Sequence, residues 1–176
     1  MHVALTCNFS PWSRYRGGGQ RATHLLASAL AAEGHEVTVI FTKPPWERVD
    51  VPSALPYRLR WAALPHTVSR RDAPLRPLTA FSVAHAVRSV ARERPLNVVH
   101  AQGEEAVLVP SVVRCPLVLT PRYPAYPAEL FTPSRSWLRR ARFWIGDHKY
   151  VALTETARRA TLVCTTSRYA ARTVEA

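Results

Sequence analysis

Apolar positions recur along this chain with two different periods. HVALTC (2–7), EVTVIF (36–41), NVVH (97–100), PLVLT (116–120) and ATLVCTTS (160–167) are short apolar runs, the pattern of strands buried on both faces. Between the first two, QRATHLLASALAAE (20–33) sets Leu25, Leu26, Ala29, Leu30 and Ala32 near helical spacing, and Gly34 follows where a helix readily ends. Strand, helix and strand in that order predict a βαβ unit with parallel strands. YRLRWAAL (57–64) alternates apolar and basic residues, as an exposed or edge strand does. A helix is expected over 78–94, with Leu78, Phe81, Val83, Ala84, Val87, Val90 and Ala91 on its apolar face and Pro95 as its stop. Shorter helices are expected over 104–113, 134–145 and 150–160, and Ser167 is a plausible N-cap for one more. Proline-rich stretches at 44–77 and 121–133 read as loops, with 66–77 mobile.

This alternation predicts an α/β fold: a Rossmann-like, doubly wound, mostly parallel sheet with helices on both faces, residues 1–176 forming a single domain. Ligands are expected at the C-terminal ends of its strands. Composition agrees, since 176 residues with 47% apolar content suit one globular domain. No apolar run approaches the roughly 20 residues a spanning helix needs. MHVALTCNF lacks the basic start of a secretory signal. Cys7, Cys115 and Cys164 each lie in an apolar run without metal-ligand spacing. They read as small buried side chains rather than disulfide or zinc ligands, and imply a cytoplasmic location with no metal site.

Charge changes the picture. The net value is +12, and lysine occurs only at Lys43 and Lys149, so arginine carries it. Arginine excess implies affinity for phosphates in nucleic acid, anionic lipid or nucleotides, or else an arginine-biased solvated surface. RNP-type, zinc and helix-turn-helix signatures are missing, which counts against nucleic acid.

Half of the six glycines stand together in RYRGGGQ (14–20). A glycine-rich loop entering a helix offers backbone N–H groups and a positive dipole end to an anion. Glycine also lets a ligand approach the backbone, since no Cβ intervenes. GxGxxG is absent and the loop is too long for a dinucleotide turn, so NAD is not expected. A plain structural turn is the alternative. Arg14 and Arg21 flank the glycines, as phosphate partners or as solvated side chains.

GGGQRATHLLASALAAEGHEVTVIF (17–41) resembles the N-terminal signature of the family 4 retaining glycosyltransferases, with Gly17-Gly18, Leu26-Ala27 and Gly34-His35 followed by Val37 and Val39. NVVHAQGEEAVL (97–108) is similar to the family's D-V-V-H-x-H segment, PLVLT to the strand before its acceptor-side loop, and ATLVCTTSRYAARTV (160–174) to its A-D-x-V-x-x-x-S segment. The resemblance implies a GT-B architecture of two Rossmann-like domains, this one binding the acceptor. It also implies a nucleotide-sugar donor (UDP- or GDP-linked), no prosthetic group and no metal. The donor-binding domain, marked in the family by E-x7-E, is expected elsewhere: that element does not occur here, the adjacent pair Glu104-Glu105 cannot substitute, and the chain ends about where the linker would begin. The implied function is the N-terminal half of an enzyme transferring a sugar with retention, inactive alone. The alternative is a non-catalytic module pairing with a partner chain.

By the same resemblance Gly17 and Gly18 lie against the donor phosphate and sugar, and Gln20 lies near the acceptor. His100 is the family's first histidine, whereas Gln102 stands at the second. After PLVLT the family's histidine position holds Arg122, followed by Tyr123. Arginine stays protonated and cannot be a general base, but it binds phosphate or an acidic acceptor bidentately. His100 and Arg122 are therefore weak catalytic candidates, and Gln20, Arg122 and Tyr123 acceptor candidates; a lone strand-end histidine is more often structural. His24 and His35 are assigned no catalytic role. In SRSWLRRARFWI (134–145), Trp137, Leu138, Ala141, Trp144 and Ile145 share one helical face, with Arg135, Arg139, Arg140 and Arg142 mostly elsewhere. Trp137, Arg139, Arg140 and Trp144 are candidates to face an anionic membrane surface at the inner leaflet. The alternative is packing on the domain or its missing partner.

Overall fold

The computed structural model describes residues 1–65, 75–121 and 148–165. Six strands form one sheet: β1 (His2–Cys7), β2 (Glu36–Lys43), β3 (Arg58–Ala63), β4 (Val98–Ala101), β5 (Leu117–Leu119) and β6 (Leu162–Val163). Every pairing is parallel, and the order is β3-β2-β1-β4-β5-β6. The helices are α1 (Gly18–Ala32), α2 (Arg76–Glu93) and α3 (His148–Arg159).

Alternation along β1 divides the core. Val3, Leu5 and Cys7 join Ala27, Val37, Val39 and Phe41 under α1. Ala4 faces the other way, into the layer of Ile40, Val83, Val87, Val99, Leu119 and Leu153 beneath α2 and α3. Phe41, Leu5 and Ile40 are fully buried, and truncating a buried phenylalanine to alanine costs about 3–5 kcal/mol. β3 is the expected edge strand, its burial alternating along RLRW.

Several expectations are corrected. Thr23 and Ala27 are the buried residues of α1, whereas Leu25 is 57% exposed. The stripe running through Thr23, Ala27 and Leu30 faces the sheet, and Leu25 lies outside it. α2 begins earlier than 78, with Pro77 in its first turn, where a missing N–H is harmless. Its buried stripe is Thr79, Ala80, Val83, Ala84, Val87 and Val90, leaving Leu78 and Phe81 exposed. Instead of a helix over 104–113 there are two single 3-10 turns, Glu104–Ala106 and Val109–Ser111, with Pro110 inside the second. The last strand is only two residues long, so Cys164 beyond it is exposed, while Cys7 is buried and Cys115 half-buried.

Gly34 ends α1 as expected. It sits at φ +81°, its N–H donates to the Ala31 carbonyl, and the His35 N–H donates to Leu30. That pair of bonds is the Schellman closure, which a side chain at Gly34 would strain.

Candidate functional site

The chain runs from β1 outward to β2 and β3, then returns to β4 on the other side of β1. The order therefore reverses between β1 and β4, and the crevice beyond their C-terminal ends is where such sheets bind ligands. A network of polar groups is buried at those strand ends. Thr6 Oγ1 donates to Glu105 Oε1 at 2.9 Å, and the Gln102 N–H donates to the same oxygen at 3.2 Å. Asn8 Nδ2 donates to Glu104 Oε1 at 3.2 Å. Glu105 is thereby tied to both strands of the switch point. Burial pushes its carboxyl up to about 7, with the neighbouring Glu104 charge adding to the effect and these hydrogen bonds opposing it. Gly103 stands close to this carboxyl: a Cβ on it would lie 2.9 Å from Glu105 Oε2, so the Glu105 side chain would have to shift to admit one. Gln102 is 3% exposed, and neither atom of its side-chain amide has a hydrogen-bond partner among the described residues. Leaving a buried polar atom unpaired costs about 1–3 kcal/mol.

The glycines adjoin this network. Gly17 is the N-cap of α1 and Gly18 its first residue. The Gly17 N–H donates to Gln20 Oε1 at 2.9 Å, and Gln20 Nε2 donates to the Asn8 carbonyl at 2.8 Å. Gln20 thus ties the start of α1 to the end of β1, keeping one amide proton and one lone pair for a ligand. Gly17 has no side chain to return the bond, so only one arm of a capping box exists. A Cβ at Gly18 would meet nothing within 4 Å. No internal contact demands a glycine there, and the helix would gain from alanine. Pro11, Arg16, Gly17, Gly18, Arg21 and His24 line an open cavity of about 660 Å³ in front of this turn. His24 Nδ1 is 2.6 Å from the Tyr57 hydroxyl and its ring meets Trp12 edge-on, so it has a structural place beside the cavity.

His100 lies on β4, opposite Leu5 and Val118, with Nε2 2.7 Å from Thr120 Oγ1. That bond joins the ends of β4 and β5. Arg122, Tyr123, Trp137, Arg139, Arg140 and Trp144 lie outside the described residues, as do Ser167 and the 134–145 helix.

Sequence reasoning missed two features. Phe9, just past β1, has φ +60°, which is uncommon for a bulky side chain and marks a strained backbone. Its N–H donates to Thr42 Oγ1 at 2.9 Å, which holds the strained turn against β2. Glu47 is 8% exposed and accepts from Ser13 Oγ at 2.8 Å and the Arg14 N–H at 3.0 Å. It pins the β1–α1 loop to the β2–β3 loop. The only sequence signal is a charge beside Trp46 in a proline-rich stretch.

A doubly wound parallel domain, open at its switch point and lined there by glycine and arginine, is the class that fold and crevice define. Residues 17–176 match the family model of the Glycosyl transferase 4-like domain, so the chain belongs to that family of glycosyltransferases. Among solved structures it is similar to the sucrose-phosphate synthase of Thermosynechococcus elongatus, at 15% identity and TM-score 0.67, covering 99% of this chain and 46% of that one. It is also similar to a putative UDP-N-acetylglucosamine 2-epimerase from Listeria monocytogenes, at 15% identity and TM-score 0.59, covering 99% of this chain and 41% of that one. The chain thus spans less than half the length of these two proteins. Another sucrose-phosphate synthase structure from the same organism matches at 12% identity and TM-score 0.52, covering 99% of this chain and 94% of that one. These likenesses establish the shared Rossmann-like fold. No curated protein matches the sequence. Among the described residues no helix is long and apolar enough to cross a membrane.

Proposed function

We propose that residues 1–176 are the N-terminal, acceptor-side domain of a glycosyltransferase that takes a sugar from a UDP- or GDP-linked donor and transfers it with retention. A donor-binding domain, in further chain or in a partner, completes the site, and this domain alone does not turn over. The observation that carries the reading is Gly18: a glycine at the mouth of a cavity bordered by Arg16 and Arg21, where a Cβ would meet no described residue within 4 Å apart from its chain neighbours and its own helix backbone.

On this reading the first-turn N–H groups of α1 and its positive dipole end meet the donor phosphates. Arg16 and Arg21, which line the cavity, add charge. Charge developing on the departing nucleotide is stabilised there, so preorganised electrostatics carry most of the rate. Gln20 holds Gly17 and faces the acceptor with its remaining donor and acceptor. Arg122 and Tyr123 bind the acceptor, Arg122 through an anionic group and not as a base, and His100 is a weak catalytic candidate. Trp137, Arg139, Arg140 and Trp144 bring the protein to an anionic membrane surface when the acceptor is lipid-linked.

The test joins this chain to a donor-binding domain of its family and follows nucleotide release from UDP- and GDP-sugars with the product anomer. Release with an anomer matching the donor is expected, and Gly18→Val abolishes it. Turnover by the 176-residue chain alone removes the claim of incompleteness. No turnover in the completed protein leaves the reading of a non-catalytic partner module. Flotation with anionic liposomes, comparing wild type with Trp137→Ala/Trp144→Ala, tests the membrane contact, and equal flotation removes it.

A further inference from the structure

A second depression, of about 470 Å³, lies on the other side of Arg16 between the β1–α1 and β2–β3 loops. Trp12, Arg14, Arg16, Trp46, Glu47 and Arg48 contribute to its lining, with Ser13 and Asp50. Arg14, Arg16 and Arg48 are exposed, and among the described residues none of them forms an ion pair. Elsewhere on the domain Arg58, Arg60, Arg94 and Arg159 each have a carboxylate partner. The lining also holds two acids, Glu47 and Asp50, so three guanidiniums stand against two carboxylates and a net positive charge remains; Glu47 Oε1 accepts from Ser13 Oγ and the Arg14 N–H, and its Oε2 is buried without a hydrogen-bond partner among the described residues.

The walls are held in place before any ligand arrives. Glu47 fastens one loop to the other, Ser13 Oγ accepts from the Tyr15 N–H at 3.1 Å, and the Arg14 guanidinium lies 4.8 Å from the Tyr15 ring centroid. Trp12 is fixed edge-on to Phe41 at 6.0 Å. Trp46, by contrast, is 57% exposed although it carries the largest apolar surface of its loop. A flat aromatic face beside unpaired guanidiniums suits a ligand with both a C–H face and a negative charge. The apolar face of a pyranose lies on an indole, and its carboxylate or phosphate takes guanidinium N–H bonds in the forked geometry arginine prefers.

We propose that this depression is the subsite for an anionic saccharide, a pyranose bearing a carboxylate or a phosphate, presented as the acceptor. The assignment rests on the acceptor-side reading above and names the substrate class. Arg16 borders both this depression and the cavity before Gly18, so an acceptor seated here lies beside the transferred sugar.

The test is NMR titration of the 176-residue chain with methyl glucuronide, glucose 6-phosphate, methyl glucoside and inorganic phosphate. One or both charged sugars are expected to bind at least about tenfold tighter than methyl glucoside and than phosphate alone, and which of them does so separates the carboxylate from the phosphate source. Arg14→Gln/Arg48→Gln, which also removes the Arg14 contact with the Tyr15 ring, is expected to erase that preference, and Arg48→Gln alone, which leaves that contact in place, to weaken it several-fold with an unchanged melting temperature. Trp46→Ala is expected to weaken both charged and neutral sugars several-fold. Equal binding of neutral and charged sugars overturns the proposal, as does equal binding of phosphate alone or an unaffected arginine double variant. Binding is read without turnover, so its failure and a failure of the transfer reading are seen separately.

Discussion

The two ends of the sheet are built on opposite principles. At the N-terminal end of the strands polar groups are paired. Glu36 holds both Arg58 and Arg94, and His2 is anchored by its N–H to Asn97 Oδ1 at 2.7 Å and by its ring to Thr38 Oγ1 at 3.1 Å. At the C-terminal end, among the described residues, are arginines without ion pairs, a buried carboxyl whose pKa is raised to about 7, a glutamine amide without a hydrogen bond and a phenylalanine at positive φ. One end is held by ion pairs and hydrogen bonds across the strands. The other leaves polar groups without such partners, at a cost that the shared core offsets.

Titration gives the sharpest way to break that contrast. Glu105 has its carboxyl raised from 4.5 to about 7, so the folded state holds a proton that the unfolded chain has lost. Its contribution is fully present below about 4.5 and is lost as pH rises through about 7, a difference of roughly 3 kcal/mol. Glu105→Gln keeps an acceptor for Thr6 and Gln102 and is expected to flatten the loss. Denaturant midpoints from pH 4.5 to 8 measure it, and parallel slopes in wild type and variant refute the assignment. Glu47→Ala removes the acceptor for Ser13 Oγ and the Arg14 N–H, with an expected loss of about 2 kcal/mol. Hydrogen exchange checks where the loss falls, since it belongs in the two loops and not in α2.

The glycines sharpen the contrast further. Gly34→Ala at the paired end forces a side chain into φ +81° and is expected to lower stability by about 1 kcal/mol, measured by thermal melting. Gly18→Ala at the open end is expected to raise stability by up to about 1 kcal/mol, since nothing lies within 4 Å and alanine favours helix. The same change lowers transfer by the completed enzyme. If both substitutions lower stability alike, the two ends do not differ in the way described. The smallest effect is expected for Glu36→Ala, about 0.5–1 kcal/mol, because the arginines it holds are 62% exposed and screened by water. High salt should reduce it.

How far the chain could be read from its letters follows from which interactions are local. The strands, the α1 terminator Gly34 and the edge position of β3 are legible, because each rests on periodicity or on the backbone of neighbouring residues. The importance of RYRGGGQ is legible for the same reason. The stripe of each helix that meets the sheet is less so: Leu25 and Phe81 are apolar and helical yet exposed, since rotation about the helix axis is chosen by the sheet beneath. The 3-10 turns after β4 replace a predicted helix because Glu105 is drawn inward to Thr6, a residue on β1 far away in sequence.

By itself, then, the sequence determined a parallel α/β domain, its family, and the glycine-led turn at the start of α1. Only the tertiary structure decided that Glu105 and Gln102 would be buried at the reversal of strand order, and that Glu47 would fasten two loops around unpaired arginines. Those outcomes depend on contacts between residues distant along the chain. Burial of a charge and the absence of its partner are properties of the assembled fold, which no local pattern encodes.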